Sequence, residues 1–506
     1  MSATTSSPAP RPLPAHARVV VVGSGFSGIG AAVALREAGI DDVVVLERAD
    51  GLGGTWHDNT YPGAACDVPS HLYSFSFAPK ADWSHVYSRQ PEIRAYLEDV
   101  AARHGVLPHL HLGTDVVAGR WDDDALLWRL QTTRGDLTAE VLVSGAGGLV
   151  EPHLPEVPGI GGFTGPSFHS ARWDHSVDLT GKRVAVVGTG ASAAQFVPEL
   201  QRTAARVVVF QRTPPWVTPR RDRAYTAAEQ RRWARVPGLL RLARARQYAV
   251  LESRLGVWTG GGRMRAYFEG QMRAFLASQV PDPQLRARLT PDYAVGCKRV
   301  VVSDDYLRAL TQPNVEVVAA PVTEVRPTSV VAADGSEHEV DVVVYGTGFR
   351  AMDIPLAHRL TGREDRTLHE EWERGGVRAH RGTTVAGFPN LFLLLGPNTV
   401  LGHTSVVVMI EAQIGYVLAA LRAVRDAGAR ALEVRRPAQE AYDAEVQARL
   451  AGTVWNTGGC RSWYRDERGR NFTLWPGHTY SFLRMMRRFD AESYELRTAP
   501  RVPVPA

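Results

Sequence analysis

The segment "RVVVVGSGFSG" at residues 18–28 decides the fold. A run of valines leads directly into the pattern G-x-G-x-x-G, and "IGAAVALREAG", with helical spacing, follows it. The dinucleotide-binding fingerprint requires this strand–turn–helix order, because its glycines allow a tight turn and a close backbone approach to a pyrophosphate at the helix N-terminus. The segment therefore predicts a Rossmann-like unit in which Gly23, Gly25 and Gly28 hold a dinucleotide.

A second copy of the pattern, "RVAVVGTGASA", occupies residues 183–193 and supplies Gly188 and Gly190. In each copy a second apolar strand ends in a polar residue 24 positions after the first glycine, Glu47 in one and Arg212 in the other. An acid at this place accepts hydrogen bonds from ribose hydroxyls, whereas an arginine accommodates a 2′-phosphate. The first unit is thus predicted to bind FAD and the second NADP, and two coincidental turn–helix units are the disfavoured alternative.

The two copies predict an α/β fold class of two doubly wound dinucleotide-binding (Rossmann-like) domains, with a helical insertion in the second. The apolar stretches at 139–148 and 340–349 end in small residues, as strands that pass a dinucleotide do. The predicted organisation is a disordered tail at 1–16, an FAD-binding domain at 17–150 and 346–506 with a C-terminal lid, an NADP-binding domain at 151–220 and 291–345, and the insertion at 221–290.

Composition excludes several other classes of protein. The formal charge of +5 comes from basic residues scattered among acids, so the chain lacks the basic block of a nucleic-acid-binding protein. Residues 1–17 contain no apolar core of a signal peptide, and no run of 18 apolar residues predicts a membrane span. A basic helix within 221–290 could touch a membrane surface, but a packed, solvated helix is favoured. We expect no stable membrane association and a cytoplasmic location.

The three cysteines, Cys66, Cys297 and Cys460, are far apart and form no C-x-x-C pattern. Their spacing predicts neither a disulfide framework nor a zinc site, and it favours a reducing compartment. We expect no bound metal.

Four motifs carry a resemblance to a known family: "GGTWHDNTYPGAACD" (53–67), "FTGPSFHSARWD" (163–174), "GCKR" (296–299) and the paired glycine patterns. Together they resemble the Baeyer–Villiger monooxygenases, over almost the whole chain. The related flavin monooxygenases that oxidise nitrogen or sulfur share both nucleotide patterns. They are less similar at the end of the second motif, where this chain has Trp173–Asp174.

The resemblance implies that NADPH reduces FAD, that dioxygen gives a C4a-peroxyflavin, and that oxygen insertion next to a ketone carbonyl yields an ester or lactone. The reaction develops negative charge, which a fixed guanidinium stabilises strongly in a dry site. Arg299 matches the family's catalytic arginine and Asp67 the acid that orients it beside the flavin. Taken alone, Arg299 also fits a surface salt bridge and Asp67 a turn carboxylate.

The resemblance also implies roles around the cofactors. Lys298, with Arg212 and Thr213, would bind the 2′-phosphate of NADP. We expect Lys298 and Arg299 to alternate on a strand, with side chains on opposite faces. Trp56 would wall the flavin pocket, as Tyr61 would, and Trp463, in "CRSWY", would fold over NADP from a mobile lid.

Two histidines in the motifs are less easily interpreted. His169 has no second ligand at metal spacing, so we interpret it, with Trp173, as a coupling residue at the junction of the two domains. His403, in "GPNTVLGH", could contact substrate or flavin and is not assigned.

Two alternative functions remain open from the sequence. The first is a flavin monooxygenase that oxidises nitrogen or sulfur, and the second is a non-catalytic flavin-binding sensor, which would have broken motifs. A pyridine nucleotide–disulfide reductase is disfavoured, because the sequence has no redox cysteine pair. The aromatic C-terminal region at 462–489 favours an apolar ketone as substrate. The oligomeric state is not predicted.

Overall fold

The structure is a computed structural model that describes residues 11–260, 262–351 and 353–498. Most of the predicted tail, residues 1–10, lies outside the described residues. The first strand begins at His16, and Arg11 donates a hydrogen bond to the carbonyl of Pro108.

The strands are numbered in chain order: β1 His16–Val22, β2 Val43–Leu46, β3 Leu110–His111, β4 Val116–Asp122, β5 Leu127–Thr132, β6 Gly135–Ser144, β7 Ser167–His169, β8 Arg183–Val187, β9 Arg206–Phe210, β10 Val217–Thr218, β11 Val301–Val302, β12 Val315–Val318, β13 Val322–Val325, β14 Ser329–Ala332, β15 Glu337–Glu339, β16 Val342–Tyr345, β17 Leu360–Thr361, β18 Leu391–Leu393, β19 Ala431–Val434 and β20 Tyr494–Arg497.

The α-helices are numbered in the same way: α1 Phe26–Glu37, α2 Thr55–Asp58, α3 Gln90–Arg103, α4 Ala193–Thr203, α5 Ala227–Arg235, α6 Leu239–Glu252, α7 Gly256–Thr259, α8 Gly262–Gln279, α9 Pro283–Arg288, α10 Tyr306–Ala309, α11 Pro355–Arg359, α12 Leu368–Gly375, α13 Val406–Asp426, α14 Arg436–Ala451, α15 Val454–Thr457 and α16 Thr479–Met486.

The larger sheet holds the first glycine motif. Its strand order is β17-β4-β5-β6-β1-β2-β3, and β18 pairs with β6. Strand β1 lies between β2 and β6 and is parallel to both. Because both faces of a parallel sheet are covered, β1 and β2 read as runs of valine rather than as alternating patterns. The sheet thus combines strands from the first 144 residues with β17 and β18 from a much later part of the chain.

The second sheet repeats this plan around the second glycine motif. Its order is β12-β9-β8-β16-β7, and all its pairs are parallel. Strand β8 lies between β9 and β16, as β1 lies between β2 and β6. The predicted α/β class with two Rossmann-like units is therefore confirmed.

Helices α5 to α9 lie between β10 and β11, two short strands that pair in parallel. Helix α5 starts at a capping box, in which Thr226 and Glu229 satisfy each other's backbone N–H groups. Helix α8 buries only Met272 and Leu276. The segment is thus a mainly exposed helical layer, anchored by a few apolar side chains.

One helix, α13, is long and apolar enough to cross a membrane by length and composition alone. It packs against α1 and α16. A methyl group on Gly30 of α1 would lie 3.0 Å from Ile414 of α13. Glu411 of α13 accepts a hydrogen bond of 2.6 Å from the backbone N–H of Ser76. These contacts are those of a core helix.

Candidate functional site

The first glycine motif has the geometry that a bound dinucleotide needs. Gly23 has φ +98°, and a Cβ atom there would lie 2.7 Å from the carbonyl oxygen of Gly145, at the end of β6. A Cβ atom on Gly28 would lie 1.8 Å from the carbonyl oxygen of Gly23. The carboxylate of Glu47, after β2, accepts hydrogen bonds from the backbone N–H groups of Ser24 and Ala49. These contacts hold Glu47 beside the glycine turn and the start of α1, at the carboxyl ends of β1 and β2.

The second motif has the same backbone geometry. Gly188 has φ +107°, and a Cβ atom there would lie 2.4 Å from the carbonyl oxygen of Gly346, after β16. Gly190, in contrast, faces open space, because a Cβ atom there would have no heavy atom of another segment within 4 Å. The hydroxyl of Thr189 donates to the carbonyl oxygen of Thr213 at 3.2 Å, which fixes the loop after β9 beside the glycines. This open space at a helix N-terminus fits a pyrophosphate.

Two cations, Arg212 after β9 and Lys298 before β11, lie near each other. Burial and the nearby guanidinium of Arg212 lower the pKa of Lys298, whose Nζ lies 4.9 Å from the ring centre of Tyr293. Within the described residues, neither Lys298 nor Arg212 has a carboxylate within 4.0 Å. Two neighbouring cations without an acidic partner fit a phosphate monoester.

The strand expected for Lys298 and Arg299 is wrong, because both lie in a turn that ends before β11 begins at Val301. The glycine of the motif accounts for this, since Gly296 has φ +89° and opens a turn rather than a strand. The two side chains nevertheless have different partners.

Arg299 and Asp67 form the central ion pair. Nε and Nη2 of Arg299 donate to Oδ2 of Asp67 at 2.9 and 2.5 Å. The carboxylate of Asp67 is the main cause of a raised pKa for Arg299, which keeps the guanidinium charged. The side chains of Arg299 and Asp67 are 38% and 24% exposed, so the pair is reachable by a small molecule.

Two neighbours of this pair were not assigned from the sequence. Tyr464 is buried, and burial raises its pKa to about 12, although Arg299 opposes the shift. The guanidinium of Arg220 donates to the carbonyl oxygens of Cys66 and Tyr87, which fixes the backbone just before Asp67. Only Tyr464 carried a sequence signal, because it follows Trp463 in the same motif.

The two tryptophans assigned to the cofactors have different environments. Trp56 is buried and donates from Nε1 to the hydroxyl of Tyr73 at 3.2 Å. Trp463 is 40% exposed, and its ring centre lies 4.7 Å from that of Tyr464. Both roles stay predictions.

The loop that carries Asp67 is bound to the second Rossmann-like unit. Gln195 of α4 accepts from the hydroxyl of Tyr61 at 3.0 Å and donates to the carbonyl oxygen of Ala65 at 3.0 Å. The rings of Trp173 and Phe196 are 5.4 Å apart, and both pack near Tyr61. Gln195 could not be predicted as a site residue, since a glutamine inside a helix carries no signal of its own.

His169 supports the same junction. It ends β7, and its Nδ1 accepts from the backbone N–H of Ala171 at 3.1 Å. Burial lowers its pKa to about 4, so the ring is neutral at physiological pH. This geometry favours the structural role expected for His169.

Two of the three cysteines pair, which the spacing in the sequence did not predict. Cys297 and Cys460 form a disulfide, while Cys66 is unbonded and buried. The pair is separated by 163 residues, and sequence spacing does not report contacts made when distant segments dock. One such bond is not the disulfide framework of a small secreted domain, and it is not a local C-x-x-C motif.

His403 is enclosed between the insertion and the C-terminal region. Its Nε2 lies 3.1 Å from Oε2 of Glu252, at the end of α6, and the other oxygen of that carboxylate lies 3.2 Å from Nδ1 of His478. The side chain of His403 has no exposed surface. These contacts give it a structural role in joining α6 to the C-terminal region.

One group within the described residues has donors close enough for a metal ion. Potential ligand atoms of Asp353, His358 and His369 lie within 4.8 Å of one another. All three lie on the α11–α12 region, outside both glycine motifs, and His358 is exposed. The absence of a functional metal stays a prediction.

Two sheets with parallel central strands, each with a glycine turn at the end of such a strand, indicate an oxidoreductase with two dinucleotide sites. The family model for flavin-binding monooxygenase-like proteins matches residues 16–358. A Baeyer–Villiger monooxygenase of Streptomyces coelicolor is 50% identical over 96% of this chain and 94% of its own length. The chain therefore belongs to the flavin-binding monooxygenase family and, within it, to the Baeyer–Villiger monooxygenases.

Solved structures agree with this assignment. Cyclohexanone monooxygenase from Rhodococcus sp. Phi1, bound to NADP+, is 28% identical with a TM-score of 0.86, and the match covers 96% of this chain and all of that one. A complex of OTEMO with FAD and NADP is 26% identical with a TM-score of 0.84, over 95% and 99% of the two chains.

Proposed function

We propose that the protein is an FAD-containing, NADPH-dependent Baeyer–Villiger monooxygenase, which inserts one atom of dioxygen next to the carbonyl of an apolar ketone to give an ester or lactone. The observation that carries this proposal is the Arg299–Asp67 ion pair, set between a loop of the first Rossmann-like unit and the turn before β11. A monooxygenase that oxidises nitrogen or sulfur has no need of a fixed cation for an oxyanion.

The residues of the two glycine motifs fit the two cofactors. In this proposal Gly23, Gly25, Gly28 and Glu47 hold FAD, with Trp56 and Asp67 on the flavin side. Positive φ at Gly23 and its close contact with Gly145 support this, because the tight turn of the dinucleotide fingerprint requires glycine at this position. The corresponding domain comprises residues 17–150 and 346–506.

NADP is held, in the same proposal, by Gly188 and Gly190 at the pyrophosphate, by Arg212, Thr213 and Lys298 at the 2′-phosphate, and by Trp463 from above. Arg212 and Lys298 are neighbouring cations, and neither has a carboxylate within 4.0 Å among the described residues. This arrangement supports binding of the phosphorylated cofactor. The domain comprises residues 151–220 and 291–345, with the insertion at 221–290.

When bound, FAD supplies the redox chemistry that links NADPH and dioxygen to the ketone. Arg299 places a permanent positive charge where the substrate oxygen gains negative charge, and fixed charge in a low-dielectric site stabilises such a state strongly. Asp67 fixes the guanidinium through two hydrogen bonds and raises its pKa, so that it does not act as a proton donor.

The apolar substrate class is supported by the surroundings of the pair. Buried aromatic side chains of the C-terminal region lie in the same core as Cys66 and Cys297, namely Trp455, Tyr464, Trp475 and Phe482. An apolar ketone needs no charged partner beyond Arg299. We infer a cytoplasmic location, with ketone and dioxygen as the small-molecule partners.

Product analysis tests the proposed function. The holoenzyme is given NADPH, isotopically labelled dioxygen and a panel of ketones, sulfides and amines, and the products are identified by mass spectrometry. We expect labelled esters or lactones that are lost in Arg299→Ala and kept in Arg308→Ala, an exposed arginine paired with Asp305. Sulfoxides or N-oxides alone, formed equally by the Arg299→Ala variant, would assign the protein to the nitrogen- and sulfur-oxidising group.

A further inference from the structure

The disulfide lies directly beside the proposed catalytic and NADP-binding residues in the sequence. Cys297 directly precedes Lys298 and Arg299. Cys460 opens residues 460–470, which contain neither helix nor strand. The bond therefore joins the turn of the catalytic arginine to the segment that carries Trp463 and Tyr464.

This segment, residues 458–464, is anchored by buried residues at both ends, including Tyr464, whereas residues 459–463 between them are partly or fully exposed. Before it, Trp455 of α15 is buried, and after it Leu474 bridges to Val400. Between these anchors, one backbone hydrogen bond, from Ala294 N–H to the carbonyl oxygen of Gly458 at 3.0 Å, joins the segment to the turn of Cys297. The disulfide is the covalent link between this segment and the turn of Cys297.

The two cysteine residues differ in exposure. Cys460 is partly exposed, whereas Cys297 is 1% exposed. An incoming thiolate can therefore attack Cys460, with Cys297 as the leaving group. Burial raises the pKa of the Cys66 thiol, so that cysteine does not compete.

We propose that Cys297 and Cys460 form a reversible thiol–disulfide switch that sets how tightly segment 458–464 closes over NADP. The assignment of this segment to NADP rests on the proposed function. A dithiol reductant supplies two electrons and two protons, the Sγ–Sγ bond breaks to give two thiols, and the dithiol becomes a disulfide. In the reverse direction, oxidised glutathione accepts the electrons by two exchange steps and leaves as two glutathione thiols.

In the bonded state the segment stays near Arg299, and Trp463 remains available to NADP. In the dithiol state only the weaker contacts hold the segment, so that the closed conformation is less populated. A ligand that binds the closed conformation then binds more weakly, in proportion to the lost population. Disulfides present in a reducing cytoplasm are usually catalytic or redox-sensing, in contrast to the structural disulfides of secreted proteins.

The first test measures the bond and the segment without any ketone. Holoenzyme is equilibrated in glutathione buffers of increasing oxidation, alkylated, and mapped by mass spectrometry. We expect a Cys297–Cys460 peptide at the oxidising end, two alkylated cysteines at the reducing end, and trypsin cleavage at Arg461 and Arg465 that is faster in the reduced enzyme. Alkylation of both cysteines under all conditions would overturn the proposal.

The second test measures NADP+ binding to the same two states by titration. We expect the dissociation constant to be at least about threefold higher in the reduced enzyme. Cys460→Ser, and independently Cys297→Ala, should match the reduced wild type and no longer respond to glutathione. Equal affinity and equal cleavage in both states would overturn the switch. Redox-dependent NADP+ binding in an enzyme that oxidises no ketone would instead overturn the proposed function and leave the switch standing.

Discussion

Arg299 and Asp67 are 232 positions apart in the chain, yet two nitrogens of the arginine share one oxygen of the aspartate. This arrangement holds the guanidinium plane at two points and leaves its remaining N–H groups for other partners. Asp67 is therefore suited to orient the guanidinium of Arg299 toward a substrate. Its role is not simply to neutralise a charge in the core.

The first prediction concerns Asp67. Replacement by Asn keeps the shape but removes the charge that orients Arg299, so we expect kcat for ketone oxidation to fall by about 10- to 100-fold. Flavin reduction by NADPH should change much less, as stopped-flow absorbance can measure. Asp305→Asn, which removes the carboxylate of an exposed pair, is the control. A double variant with Arg299→Ala that is far slower than Arg299→Ala alone would contradict a shared role.

The second prediction concerns the two cations of the NADP site. Arg212→Ala or Lys298→Ala should raise KM for NADPH by about tenfold, because each removes a charged partner of the 2′-phosphate. KM for NADH, which lacks that phosphate, should stay nearly the same. Lys182→Ala, at an exposed lysine of the same domain, is the matched control. An equal rise in KM for NADPH and for NADH would refute the proposal that these two cations bind the 2′-phosphate.

The third prediction separates two glycines of one motif. Gly190→Ala should leave the midpoint of thermal unfolding unchanged, since no atom lies within 4 Å of the added methyl, yet weaken NADP+ binding. Gly188→Ala should lower the free energy of unfolding by at least about 2 kcal/mol, because φ is +107° and the methyl would collide with Gly346. Tight NADP+ binding by Gly190→Ala would place the pyrophosphate elsewhere.

The fourth prediction concerns the link between the two Rossmann-like units. Gln195→Ala removes the partners of Tyr61 and Ala65 and should cost about 1–3 kcal/mol of unfolding free energy. It should also slow flavin reduction by NADPH, because the loop that ends in Asp67 loses its hold on α4. Gln201→Ala, on the same helix, removes only a contact with Asn314 and is the control. Equal rates of flavin reduction in the two variants would argue against a role of Gln195 in coupling the two Rossmann-like units.

The fifth prediction concerns pH. Burial lowers the pKa of His169 from 6.5 to about 4, so between these values the unfolded chain binds more protons than the folded one. Stability should therefore be full above pH 6.5 and fall as the pH is lowered toward 4, by up to about 1.4 kcal/mol per pH unit from this residue. Urea unfolding across this range should show a shallower slope in His169→Gln than in the wild type. An unchanged slope would mean that His169 is protonated in the folded state.

Much of the fold could be predicted because its signals are local. The glycine motifs, the valine-rich strands and the contrast between Glu47 and Arg212 each lie within about 30 residues, the length of one βαβ unit. Asp67 and Arg299 were assigned through family motifs. No local sequence pattern predicts that these two residues form an ion pair.

What could not be predicted depends on docking between distant segments. The disulfide, the hold of Gln195 on Ala65 and the position of Tyr464 beside Arg299 all join residues more than 120 positions apart. The strand expected at Lys298 and Arg299 is absent for a local reason, since Gly296 has a positive φ and forms a turn just before them.

The strand order of the larger sheet also sets a sequence of events during protein synthesis. Strand β18, which completes one side of β6, ends at Leu393, whereas the last strand of the second sheet, β16, ends at Tyr345. On the ribosome, the NADP unit can therefore close its sheet while the FAD unit, begun first, still lacks a strand. Until then residues Leu142–Ser144 of β6 stay unpaired on one side, and chaperone binding should be strongest in that interval of translation.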